Sequence, residues 1–484
     1  MPNTVPADQR KVLHIWANCL SRCIENKSTD APMSSRQVSI LFEAMYNAWA
    51  IYQNPNKVKP SLASEDVYIL QNLVGSQLPQ VHPLETKITA MSYAAFTVLS
   101  NLYPSQVAGV ITTALYDSAD NLENMVSVPI YITRAQTYGV TIGNLVIADR
   151  QDDNSNQYGV GSTEGTYVDT TGYTPTAFFD LITDSNNITN WATLDQTKWM
   201  PLYGPNSQGD PTYQVPLAPH WGRVKTFAIA HGGIYRPNLT RLTPSQDEVD
   251  ELLNLMSTIN DNYDRKAIVD IFAKNPGSNQ PPGQWMDLAI TISDLDSNTL
   301  DQDVKLFFGV GQALHDAGVA SWDVKYYYDS VRPITYIRNF YRGQNILGWE
   351  GWNSPATGSP TYVAAENWVT YQRPHRQSPN FPEIVSGHST FSAASATIIA
   401  GLRNSDYADT SLTLAAGAIG FETNMPPADV TINFSRISEI ADLAGMSRRY
   451  SGIHFEQGDL TGRTLGRQVA LTVYDKIMRL FGSY

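Results

Sequence analysis

Apolar residues at three- and four-residue steps fill both ends of this chain, and that period commits it to helices packed on helices. From Gln37 to Gln53 the apolar positions are Val38, Leu41, Phe42, Met45, Trp49 and Tyr52, one face of an amphipathic helix. Segments 85–102 and 106–123 carry the same period without strand-like alternation, as do 247–260, 284–292, 303–320, 387–403, 435–446 and 462–481. Between about 139 and 242 the composition turns to Gly, Asn, Asp, Thr, Tyr and Pro, which supports turns and short strands. Trp191, Trp199, Trp221, Phe178 and Phe179 need burial, so this stretch is expected to pack on the helices. Thr243 reads as the N-cap that restarts helix, with Pro244 at N1 and Gln246 at N3. The expected fold is all-α, two packed helical bundles with a loop-rich insertion carrying short strands: residues 1–138 and 244–484 form the helical halves and 139–243 the insertion.

A net charge of −13 argues against binding to nucleic acid or to an anionic membrane, since both partners are held by an excess of Lys and Arg. Any anion site must therefore be local. The N-terminal stretch lacks the apolar core of a signal peptide and no segment is apolar enough to span a membrane, so the expected compartment is the cytoplasm. Cys19 and Cys23, four apart on one helix, read as half-buried structural thiols. The acidic run at Asp294, Asp296 and Asn298 fails as a calcium loop, with Thr299 where a glycine and Lys305 where a glutamate are needed. GVGSTEG at 159–165 lacks dinucleotide spacing and reads as a turn cluster. His14, His82, His220, His231, His315 and His375 have no partner at metal spacing.

Three short segments of the C-terminal half stand apart: KYYYDSVRP with Lys325 and Arg332, VSGHSTFSAAS with Ser386, Gly387 and His388, and SRRYSGIH with Arg448 and His454. Singly each is weak, a solvated helix face or an N-cap beside an incidental histidine. In combination they supply what a tetrahedral oxyanion requires. Lys325, Arg332 and Arg448 offer fixed positive charge, and the arginine fork can bond two oxygens at once. The Ser386 hydroxyl and Gly387 amide add donors at the start of a helix, whose dipole favours an anion there. Two histidines remain for reactivity, one as ligand or nucleophile and one as acid or base.

These segments resemble the signature of the superfamily that joins type-2 phosphatidic acid phosphatases, bacterial acid phosphatases and vanadium-dependent haloperoxidases. FEAMYNAWAIY, PLAPHWGRVKTFAI and ALHDAGVASWDVKYYYDSVRP extend the likeness toward bacterial haloperoxidases over most of the chain. The resemblance implies a vanadate cofactor whose oxygens are held by Lys325, Arg332, Ser386, Gly387 and Arg448. It implies His454 as the axial ligand of the metal and His388 as the acid–base residue, with Lys325 polarising bound peroxide. Trp322 and Phe381 fall where haloperoxidases place side chains around the halide pocket. The implied reaction is oxidation of halide, bromide or iodide more readily than chloride, by hydrogen peroxide to hypohalous acid, which halogenates an organic acceptor. Related haloperoxidases often form homodimers or larger assemblies, so the resemblance implies a homo-oligomer.

The chain departs from the phosphatase pattern twice. Val385 replaces the proline before Ser-Gly-His, and Gly458 replaces an aspartate four residues after the last histidine, with Asp459 one place late. Arg448 keeps the five-residue gap to His454, which leaves Arg449 as the alternative register. An acid phosphatase using a phospho-histidine at the same site is the main alternative, and a noncatalytic oxyanion-binding protein a third.

Overall fold

The computed structural model describes residues 11–75, 84–118, 129–159, 165–183, 193–274, 277–358 and 360–482. Helices dominate both halves. The first carries α1 (Val12–Lys27), α2 (Ala31–Ala50), α3 (Glu65–Gly75), α4 (Leu84–Leu102), α5 (Thr112–Ser118) and α6 (Pro129–Gln151). The second carries α7 (Gln246–Ser257), α8 (Tyr263–Ala273), α9 (Gln280–Asp296), α10 (Leu300–Tyr328), α11 (Pro333–Phe340), α12 (Gly387–Arg403), α13 (Ile437–Tyr450) and α14 (Glu456–Leu480).

The axis of the molecule is α10. Thr299 and Gln302 close a capping box at its start, which satisfies two otherwise free amides. From there it runs through buried Phe307, Phe308, Leu314 and Trp322 to Lys325. It packs on α2 on one side and on α12 and α14 on the other, so one apolar core joins helices of both halves. Close approach of α14 to α12 is possible because position 462 is glycine: a Cβ there would lie 2.8 Å from the Ser386 carbonyl oxygen.

The loop-rich segment is tied down by the central helix. Buried Asp316 accepts the amides of Phe227, Ala228 and Ile229 at 2.6, 2.7 and 3.0 Å. Upstream lie β1 (Phe179–Asp180), β2 (Leu202–Pro205) and β3 (Pro211–Tyr213), with β1 parallel and β3 antiparallel to β2. Phe179, Trp199 and Trp221 are buried as expected, but Phe178 is exposed and lies edge-on to Tyr213; Trp191 falls outside the described residues.

Several elements differ from expectation. Strands also occur in the second half, as β4 (Asn345–Leu347) with β5 (Tyr362–Ala364) and the hairpin of β6 (Tyr407–Leu414) and β7 (Val430–Arg436). Helix α6 continues past residue 139, because its glycines serve packing rather than turns: a Cβ at Gly143 would sit 2.7 Å from Thr97 Cβ on α4. The N-cap before α7 is Ser245, not Thr243. Glu248 bonds the Ser245 amide at 2.7 Å while the Ser245 hydroxyl takes the Glu248 amide, and that reciprocal pair moves the start by two residues. The 106–123 periodicity resolves into 3₁₀ and π turns before α5, with 119–123 outside the described residues. Cys19 and Cys23 are free and fully buried. No described helix is long and apolar enough to cross a membrane.

Candidate active site

Four elements bring the three segments together: the end of α10 carries Lys325, the start of α11 Arg332, the start of α12 Ser386 to His388, and the end of α13 with the following turn Arg448 and His454. Lys325, Arg332, Ser386, Arg448 and His454 are each at most 2% exposed. Such burial of three cations demands compensation.

The protein meets part of that demand with carbonyls. Lys325 Nζ donates to the Pro382 and Glu383 oxygens at 2.9 and 3.1 Å. Arg332 donates from Nε to the Phe381 oxygen at 3.0 Å and from one terminal nitrogen to the Ile453 oxygen at 2.8 Å. Its other terminal nitrogen is buried without a partner. Arg448 bonds the Ser447 hydroxyl at 3.0 Å and the Val269 oxygen at 3.2 Å.

Ser386 is the N-cap of α12, its hydroxyl oxygen accepting the Ser389 amide at 3.3 Å. The hydroxyl proton therefore stays available to a ligand. Gly387 opens the helix on the cavity wall, where its α-carbon faces the Trp322 indole. His388, half-buried, bonds the Phe272 carbonyl, and its Nε2 has no partner.

His454 is held from both sides. Its Nδ1 lies 2.6 Å from Glu383 Oε1 and its Nε2 3.1 Å from Arg332. Arginine can only donate and a carboxylate accepts, so Nδ1 carries the proton and Nε2 the lone pair. Glu383, 1% exposed, also accepts the Phe455 amide at 3.3 Å. Sequence reasoning missed Glu383; the available signal was a lone charge within the apolar run Phe381-Pro382-Glu383-Ile384-Val385. Arg449 points elsewhere and pairs with Glu251, with Glu456 at 2.9 Å and with Asp459 at 3.6 Å, so the register that lines the cavity is that of Arg448.

The electrostatics follow from this crowding. Burial, reinforced by Arg332, holds the Lys325 ammonium well below its ordinary value. Burial draws Arg332 and Arg448 down to about 9. Both histidines are held far below 6.5, His388 by burial and Arg448, His454 by burial, Arg332 and Lys325. Burial pushes Glu383 up to about 7 against the pull of Arg332 and Lys325. The site is thus a pocket of excess positive potential, with Glu383 as the carboxylate that touches His454.

Gly387, His388, Arg448 and His454 line a cavity of about 70 Å³, with Trp322 and Phe381 on its apolar wall at a ring separation of 5.0 Å. Trp322 is anchored through Nε1 on the Leu217 oxygen at 3.1 Å, so the loop-rich segment shapes this wall. A cavity of that size has room for a small tetrahedral oxyanion. At Asp30 and Arg376 it meets an outer chamber of about 540 Å³.

Residues 305–483 match the family model described as the VCPO second helical-bundle domain, the region that holds all three segments. No curated protein matches the chain. Among solved structures the chain is similar to a bacterial vanadium-dependent chloroperoxidase. Its holo form aligns with a TM-score of 0.72 and 17% identity over 94% of this chain and 93% of that one. The apo form gives 0.72 and 18% over 94% and 95%. A bacterial vanadium-dependent iodoperoxidase aligns with a TM-score of 0.66 and 18% identity over 96% of both chains. At such identity these likenesses establish the helical-bundle fold.

Proposed function

We propose, from the match of residues 305–483 to the family model described as the VCPO second helical-bundle domain, that this chain is a vanadate-dependent haloperoxidase. The observation that carries the reading is the His454 lone pair at Nε2 beside Arg332, inside a small cavity of excess positive charge. The donor set fits vanadate: a nitrogen for the metal, an unpartnered Arg332 nitrogen, the Ser386 hydroxyl and the Gly387 amide for its oxygens. His454 would be the metal ligand, and Lys325, Arg332 and Arg448 would balance the charge.

Bound vanadate supplies a Lewis acid that activates hydrogen peroxide toward halide without change of its own oxidation state. The residues of the chain do the rest. His388, with Nε2 unpartnered and basicity suppressed, is neutral at pH 7 and accepts the proton that hydrogen peroxide gives up. Trp322 and Phe381 would provide an apolar, polarisable wall for a halide. A sizeable organic acceptor would meet hypohalous acid in the outer chamber of about 540 Å³. Iodide and bromide are the expected substrates ahead of chloride on redox grounds.

A carboxylate-oriented imidazole whose Nε2 keeps its lone pair is also a phosphoryl-accepting nucleophile, so the test sets both readings side by side. The protein is stripped of metal, reloaded with orthovanadate or phosphate, and assayed for iodide and bromide oxidation by hydrogen peroxide and for phosphomonoester hydrolysis. Oxidation that requires vanadate and is competed by phosphate is the expected result. Hydrolysis inhibited by vanadate, without halide oxidation, would make the chain a phosphatase.

A further inference from the structure

We propose that Glu383 is the positioning residue of the reactive histidine, its carboxylate standing in from another segment for the aspartate missing at position 458. The inference keeps the reading of His454 as the reactive group but holds whether that group meets vanadate or phosphate.

Three observations carry it. Glu383 Oε1 lies 2.6 Å from His454 Nδ1 and is bonded in turn by the Phe455 amide, so the carboxylate is fixed against both the imidazole and the chain that follows it. Position 458 cannot bear a side chain in this arrangement: a Cβ there would fall on Glu383 Oε1 and stand 2.8 Å from both Cδ and Oε2. The next residue cannot serve either. Asp459 is fully buried and committed elsewhere, to the Ser389 hydroxyl at 2.7 Å and to Arg463 at 2.8 and 2.7 Å. The glycine and the glutamate are thus two halves of one solution. A carboxylate brought in from the strap before α12 needs the volume that a side chain on α14 would fill.

A carboxylate on an imidazole N–H fixes the tautomer and ring plane and raises the basicity of the other nitrogen, and loss of such a partner typically weakens metal affinity by about 10–100-fold. A Cβ at 458 would lie 2.1 Å from the bonding oxygen, so the carboxylate of an aspartate there is within reach of the same nitrogen once Glu383 is shortened.

The test compares wild type with Glu383→Gln, Glu383→Ala, Gly458→Asp and the double variant Glu383→Ala/Gly458→Asp. The readouts are orthovanadate and phosphate affinity by calorimetry and the hydrogen-bonded Nδ1–H proton of His454 by nitrogen-edited NMR. Glu383→Gln should weaken oxyanion binding about 10-fold and shift the proton upfield, and Glu383→Ala should lose the proton signal. Gly458→Asp alone should crowd Glu383 and weaken binding. The double variant should recover most of the affinity and the downfield proton. Wild-type affinity and an unmoved proton in folded Glu383→Gln would overturn the proposal, as would a folded double variant no better than Glu383→Ala. If wild type binds phosphate but oxidises no halide, the haloperoxidase reading fails while the NMR comparison still decides the role of Glu383.

Discussion

His454 and His388 both line the cavity, but their hydrogen bonds divide the tasks between them. His454 offers a lone pair and His388 an unpartnered Nε2, so replacing them should have different consequences. His454→Ala is expected to abolish vanadate binding, whereas His388→Ala should retain vanadate and lose turnover by about 10²–10⁴-fold, the usual contribution of a positioned acid–base group. Metal content after gel filtration, read beside the rate, separates the two; vanadium retained by His454→Ala would refute its assignment as ligand. The adjacent arginines give a second contrast. Arg448 stands on the cavity wall and Arg449 among Glu251, Glu456 and Asp459. Arg448→Gln should weaken oxyanion binding by about 1.5–3 kcal/mol, the range for hydrogen bonds to charged groups. Arg449→Gln should leave affinity within about twofold and lower stability by about 1 kcal/mol, because its partners Glu251 and Glu456 are partly solvated. Calorimetric titration of both variants is the measurement, and equal losses would return the register to Arg449.

Helix packing sets where those residues stand, and glycine is the device used at the tightest contacts. Gly143 on α6 meets Thr97 on α4 with no space for a branched side chain. Gly143→Val is therefore expected to lower stability by about 1–3 kcal/mol, seen as a fall in the urea midpoint at unchanged slope. An unchanged midpoint would mean that the two helices can part without loss. The same glycines mislead a reading by composition, since Gly and Thr near residue 139 suggest turns whereas here they allow two helices to touch. Long periodic helices were legible: 387–403 coincides with α12, α10 extends its expected core at both ends and α14 extends its own at the start. The short helices α8 and α11 were not, because eight to eleven residues leave too few turns for a period to stand out. Nor was the β6–β7 hairpin, whose strands bury only Ala408, Leu414 and Phe434 and so carry a weak apolar pattern.

At the level of the whole molecule an acidic chain of net charge −13 keeps a cation cluster in its interior, and that contrast governs its response to pH and to ligands. The seven residues that converge here stood out in the sequence because they are particular residue types in short runs; Glu383 did not, because its partner lies 71 positions away and only the fold joins them. With His388 and His454 both held far below 6.5, the unfolded chain takes up protons first as pH falls through 6.5. Stability contributed by these neutral histidines is therefore present above that value and lost progressively below it, toward their depressed folded values. An oxyanion seated among Lys325, Arg332 and Arg448 offsets the local positive field and raises both histidines toward their ordinary range, so the acid loss should begin at lower pH when the site is filled. Binding also stabilises by mass action, by about 2.7 kcal/mol at a ligand concentration of 100 Kd. Melting temperatures between pH 5 and 8, with and without saturating phosphate, should diverge as pH falls below about 6.5, by more than mass action alone at constant affinity gives. Parallel curves would show that the histidines do not sense the anion, and would remove the coupling between the cation cluster and the two reactive imidazoles on which the proposed chemistry depends.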